Sequence, residues 1–207
     1  KTGLLYHALG RLQQRKKGIG IHADIFYTEN FRDFTNRFAT AMLQAFPEKH
    51  PFWKKAMEFL KQLRPVISHD EMTGQPQVTL DYSQPKQYEY SLHSILLFLE
   101  KQEKLIVVAI DEFQQITQYP EKNTEAILRT QIQQLKNVRF IFSGSSPYML
   151  SEMFHHAKRP FFSSAQSLEL NESSEHEYSA FIEAKFNEFG RKISPQSIEF
   201  ILYFLPW

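Results

Sequence analysis

Six consecutive apolar residues, Leu105 to Ile110, break directly into Asp111-Glu112-Phe113. An unbroken apolar run of that length suits a strand buried on both faces, as at the centre of a parallel sheet. Val138 to Phe142, leading into Ser143-Gly144-Ser145-Ser146, predicts a second such strand. Residues 19–27 read as a third, with Ile19, Ile21, Ala23 and Ile25 alternating on one side, and 166–170 as a last one. Between them the apolar spacing turns helical. Helices are predicted over 2–16, 31–46, 52–63, 91–102, 123–135 and 148–155. Thr28-Glu29-Asn30 supplies a cap for the second helix, whose stripe is Phe31, Phe34, Phe38, Met42 and Ala45, and Pro47 stops it. Val66-Ile67-Ser68 and Val78-Thr79-Leu80 flank a turn at Thr73-Gly74 and predict a small β-hairpin inserted at an edge. After Leu170 the chain turns all-helical. One helix starts in capping-box style at Ser173-Ser174-Glu175-His176-Glu177, and another starts at Ser194-Pro195.

Strands alternating with helices imply parallel strands joined by crossovers, an α/β fold with helices on both faces of a central sheet. The expected organisation is a core over 1–171 and the start of a helical lid over 172–207. A length of 207 residues allows one substantial core and the beginning of a second. The chain does not begin with methionine and reads as a trimmed or internal piece.

Composition narrows the chemistry. With 24 basic and 23 acidic residues there is no bulk positive field to argue for nucleic-acid binding. The absence of cysteine excludes a disulfide framework and a thiolate zinc site, and fits a reducing cytoplasm. No apolar run approaches the roughly 20 residues of a membrane span, and no secretory signal is visible. The 19 phenylalanines predict an aromatic core and no chemistry. There is neither a G-x-S-x-G elbow nor an H-E-x-x-H helix, and the eight histidines are scattered without a nucleophile–base pair.

The apolar strand ending in two carboxylates is the strongest chemical signal. In a sheet wrapped by helices, ligands sit at the carboxyl ends of the strands. Asp111 there is a candidate for holding Mg2+ through water, and Glu112 for orienting and deprotonating an attacking water, as in a Walker B element. The plainer alternative is a buried strand whose acids open a solvated loop. Lys1-Thr2, followed by a helix, reads as the G-K-[ST] end of a P-loop, with its glycine loop and strand missing upstream. Lys1 then reaches the β and γ phosphates of ATP, and the Thr2 hydroxyl binds Mg2+ at the helix N-terminus. Ser143 ends its strand at the same sheet edge as Asp111 and can bond the γ-phosphate or the water; a Ser-Gly-Ser turn feeding Pro147 explains it equally. Arg159 either faces phosphate, in cis or in a neighbouring subunit, or belongs to a solvated basic turn. Gln114 and Gln115 bridge to water or serve core-edge bonding.

These pieces in this order resemble the archaeal-type P-loop ATPases, in the additional-strand, catalytic-glutamate branch near the AAA+ and STAND groups. The matching segments are Lys1-Thr2, Leu105 to Gln115, Phe142 to Ser146, Lys158-Arg159-Pro160-Phe161 and the helix ending Ile201-Leu202-Tyr203-Phe204-Leu205. The resemblance implies a three-layer α/β/α ATP-binding module with a helical lid, often fused to a C-terminal effector or winged-helix domain. The expected function is Mg2+-dependent ATP binding and hydrolysis in a regulatory or motor domain acting on a protein partner or effector. Two alternatives stand beside it. One is a nucleotide-gated scaffold with little hydrolysis, against which Glu112 argues. The other is the ATPase of a DNA-processing or mobile-element system, which the neutral charge does not favour. Most phosphate contacts in a P-loop come from the glycine loop. The piece as it stands is therefore expected to hold ATP no tighter than about millimolar.

Overall fold

Ile19, Ile21, Ala23 and Ile25 alternate along β1 (Gly18–Asp24) and its exit, and each is buried on the same side. The computed structural model, which describes residues 2–82, 87–170 and 174–204, turns this alternation into one face of a three-stranded parallel sheet. Its order is β1, β4 (Leu105–Asp111), β5 (Val138–Phe142), with β4 in the middle as its apolar run requires. The register sets Ile21 beside Val108 and Asp24 beside Asp111 on one flank, and Ile110 beside Phe142 on the other. Ile106, Val108, Ile110 and Val138 thus join the β1 aliphatics in the main core under α2 (Phe31–Gln44) and α4 (Gln87–Glu100). Asn30 caps α2 by accepting the Asp33 N–H at 2.9 Å.

The opposite face carries α1 (Thr2–Gln14), whose Leu5 and Leu9 pack on Ala109 and Val107. The approach is close because Gly20 has no side chain there: a Cβ would lie 2.8 Å from Leu9 Cβ. Gly20→Ala should therefore push α1 outward and cost about 1–3 kcal/mol. In urea denaturation this is read as a lowered midpoint at unchanged slope. With helices on both faces, the fold is three-layered α/β/α.

The expected hairpin forms from β2 (Pro65–His69) and β3 (Pro76–Leu80), paired antiparallel. Asp70 builds its turn by accepting from the Thr73 N–H at 2.8 Å and the Thr73 hydroxyl at 2.9 Å. The edge of β3 is bonded by α2, whose Thr40 and Asn36 side chains accept the Val78 and Leu80 N–H groups at 2.9 and 3.0 Å. These contacts hold the hairpin on the core.

The expected strand over 166–170 does not form: these residues have no regular secondary structure, and Leu168 is 84% exposed. Its alternation is real, but Ala-Gln-Ser-Leu-Glu-Leu contains no β-branched or aromatic residue to favour a pleated surface. The chain divides into two units, Lys1–Ala165 and Gln166–Trp207. In the second unit α7 (Glu175–Glu188) and α8 (Pro195–Phe204) pack on each other, with Ile182 and Ile198 buried. Ser174 and Glu177 complete the capping box of α7. The remaining helices, α3 (Pro51–Lys61), α5 (Thr124–Ile132) and α6 (Pro147–His155), follow the predicted positions within a few residues. No helix among the described residues is long and apolar enough to cross a membrane.

Candidate functional site

Alternation decides where the polar strand ends point. In β4 the even-numbered residues enter the main core, so Asp111 falls on the α1 face, and in β5 the same parity puts Ser143 there too. Backbone bonds close the three strand ends around this point. Ser143 donates its N–H to the Ile110 carbonyl at 3.0 Å, Phe113 donates to Ser143 at 2.9 Å, and Ile25 donates to Asp111 at 3.2 Å.

Asp111 is 2% exposed and fully engaged. The Thr2 hydroxyl, at the N-terminus of α1, donates to its Oδ2 at 2.6 Å. The Ser143 hydroxyl donates to Oδ1, which also accepts the Glu112 N–H at 3.2 Å. Burial works to raise the pKa of the Asp111 carboxyl, but these three hydrogen bonds and nearby His22 outweigh it, and the net is below the ordinary carboxylate value. Asp111 is therefore an anion at neutral pH. Thr2, Asp111 and Ser143, expected to converge from three separate parts of the chain, do so.

Glu112 takes a left-handed backbone, φ 58° and ψ 40°, where a residue with a Cβ is strained. The turn swings its side chain to the loop after β5. There Oε2 accepts from the Ser145 hydroxyl at 2.7 Å, the Ser145 N–H at 3.2 Å and the Gln114 amide. Burial pushes the carboxyl up, and these bonds more than reverse it, so Glu112 too is held below its ordinary value. Its Oε1 accepts no hydrogen bond among the described residues. Gly144 makes the arrangement possible: a Cβ there would sit 1.9 Å from Gln114 Oε1. Below the site, Phe113 anchors the 3-10 helix Phe113–Gln118 in a ring cluster with Phe142, Phe154 and Phe161.

Arg159 is placed differently from the other expected residues. Its guanidinium pairs with Glu125 at 2.7 Å, in the first turn of α5, and among the described residues no ion pair joins it to Asp111 or Glu112. Lys1 lies outside the described residues. The expectation of scattered histidines passed over His22, whose Nε2 lies 3.6 Å from Asp111 Oδ2 with the Tyr6 ring 4.3 Å from its own. Its position, two residues before Asp24 on the polar side of an alternating strand, was the available signal. The Ser145–Glu112 contact was likewise unread, because it depends on the left-handed turn.

An oxygen-donor cation fits the Thr2–Asp111 pair: an exposed hydroxyl at a helix N-terminus stands against a buried, ionised carboxylate. No group of three or more His, Cys, Asp or Glu side chains suited to a metal occurs among the described residues, so part of the coordination would come from phosphate and water.

By sequence the chain matches no protein-family model and no curated protein. By structure it is similar to a Walker-type ATPase of Pyrococcus abyssi, with TM-score 0.58 and 16% identity. The match covers 97% of this chain and 55% of that one, so the chain spans about half the length of its structural neighbour. The central parallel sheet flanked by helices, with the small antiparallel hairpin beside it, is thus a P-loop NTPase-like fold.

Proposed function

We propose that this chain is the ATP-binding and ATP-hydrolysing core of a Walker-type ATPase. The observation that carries the reading is the Thr2–Asp111 bond, which joins the N-terminus of the first helix to the carboxyl end of the central strand. A helix N-terminus attracts phosphate through its free N–H groups and dipole, and the carboxylate beside it attracts the cation that accompanies the phosphates. In this reading Lys1 binds the β and γ phosphates, and Thr2 and Asp111 hold Mg2+. Held there, Mg2+ would supply positive charge to offset the charge of the transferred phosphoryl group. Ser143 keeps Asp111 oriented and lies within reach of the γ-phosphate side of the site. Glu112 offers Oε1 to the attacking water while Ser145 and Gln114 hold Oε2.

A carboxylate held below its ordinary pKa is always ionised near neutrality but is a weak base, which fits slow turnover. Within this chain Arg159 is held by its ion pair with Glu125. The two packed helices of the second unit are the start of a helical lid in this reading, and a protein partner or fused effector receives the output.

The test is ATP binding by calorimetry with and without Mg2+ in the full-length protein. Asp111→Ala should remove the Mg2+-dependent increment of affinity while leaving Mg2+-free binding nearly unchanged. An increment that survives the substitution rejects Asp111 as the cation's carboxylate.

A further inference from the structure

The sheet edge opposite the proposed site is strongly basic. Residues 15–17, 101–104 and 136–139, which lead into or open β1, β4 and β5, hold seven basic residues and one acidic residue in eleven positions. Lys17 directly precedes Gly18, and Lys104 directly precedes its register partner Leu105. Lys104 and Lys136 likewise each stand two residues before the paired Ile106 and Val138. The register therefore lines up Lys17, Lys104 and Lys136 across three adjacent strands spaced about 4.8 Å apart, a row of roughly 10 Å. Arg15 and Lys16 adjoin it at the β1 end, and Arg139 at the β5 end.

All seven cations are exposed, and none enters an ion pair among the described residues. Glu100, at the end of α4, turns its carboxylate to the Lys136 and Asn137 N–H groups, each at 2.9 Å. Helix dipoles do not account for the row, since their pull fades within the last turn and these lysines precede strands. Like charges side by side across a sheet repel, so the fold holds the row against a repulsion that a bound polyanion relieves. The nearly neutral total hides this polarity. With the three segments set aside, 17 of the 24 basic and 22 of the 23 acidic residues remain, and the rest of the chain is net negative.

We propose that this basic rim binds the phosphate backbone of a nucleic-acid duplex without reading its sequence. A duplex carries about one negative charge per 1.7 Å of its axis, so a row of this length meets several phosphates at once. The segments' composition favours this partner over two others. They contain no aromatic residue on which single-stranded bases stack, and no exposed large apolar side chain to enter a lipid surface. The seven residues of β4 separate the rim from Asp111 by roughly 20 Å, more than two Debye lengths at physiological salt. Duplex and ATP thus occupy opposite edges of the sheet, and the rim's role does not depend on the ATP reading.

The probe is a fluorescein-labelled DNA duplex of arbitrary sequence, titrated with the full-length protein over a range of KCl concentrations and followed by anisotropy. Log affinity against log salt should fall with a slope of about −3 to −5, as for a handful of phosphate contacts. The triple variant Lys17→Ala, Lys104→Ala, Lys136→Ala should bind about tenfold more weakly or worse, with the slope shallower by about 2 to 3. Alanine at Lys122, Arg191 and Lys192, exposed residues outside the rim, removes the same charge and should leave both unchanged. Thermal melting and ATP binding without DNA should be the same in the two triple variants, because the substituted side chains are exposed. A duplex that does not bind, or that binds the rim variant equally well, overturns the assignment. Equal weakening by both triple variants makes it an effect of net charge alone and overturns it too. Tighter binding to a single strand of the same length, or to vesicles of phosphatidylcholine and phosphatidylserine, overturns the duplex as the partner.

Discussion

Glu112→Gln is expected to lower ATP turnover by about 10²- to 10⁴-fold while ATP affinity stays unchanged. The amide keeps the size and shape of the side chain. Its oxygen can still accept the Ser145 hydroxyl and N–H that now bind Oε2, so the turn after β4 should hold. The amide has no basic oxygen for the attacking water. Because the carboxylate makes no other contact that a glutamine cannot keep, thermal unfolding should move little. Single-turnover hydrolysis with labelled ATP separates the outcomes. Loss of the chemical step with retained binding supports Glu112 as the base. Unchanged turnover would instead favour a nucleotide-gated scaffold in which Glu112 only shapes the loop.

The second large effect lies beneath the site. Phe113→Ala should destabilise the fold by about 3–5 kcal/mol, a large share of the stability of an ordinary domain. Phe113 is completely buried, and its ring centroid lies 4.3 Å from that of Phe142 and 5.3 Å from that of Phe161. Truncation removes the hub of this aromatic cluster and opens a cavity that rigid neighbours cannot fill. The residue also follows Glu112 directly and donates its N–H to Ser143. Loosening it should release the strained turn and blur the position of the Glu112 carboxylate. Urea denaturation should show a much lower midpoint, and a shift equivalent to less than about 1 kcal/mol would mean the cluster repacks around the gap.

These two residues show what could be read from the chain and what could not. The run Leu105 to Asp111 declared both its place at the sheet centre and the edge at which its carboxylates emerge, because unbroken apolarity and a sudden acidic end are local facts. Thr2 and Ser143 could be placed at that edge because each borders a helix or strand of clear period. The hydrogen bonds that hold Glu112 were not legible. They follow from a left-handed residue, and glutamate does not announce that conformation as glycine does. Likewise, the 3-10 helix after it, with Phe113, Gln114 and Ile116 buried, has too short a period to be told from a loop. His22 escaped because its meaning arises across two strands about ninety residues apart, where register alone brings it to Asp111. At 166–170 the error ran the other way: alternation without β-forming residues produced no strand.

The central claim, that phosphates and their cation sit between the first helix and the central strand, has one direct test. It is the crystal structure of the full-length Glu112→Gln protein with ATP and Mg2+. The account predicts the triphosphate laid across the N-terminus of α1, with the cation against the Thr2 hydroxyl and the Asp111 carboxylate and the γ-phosphate facing Ser143. A nucleotide bound away from these residues, or a site at Thr2 and Asp111 that stays empty at saturating ATP, would contradict it.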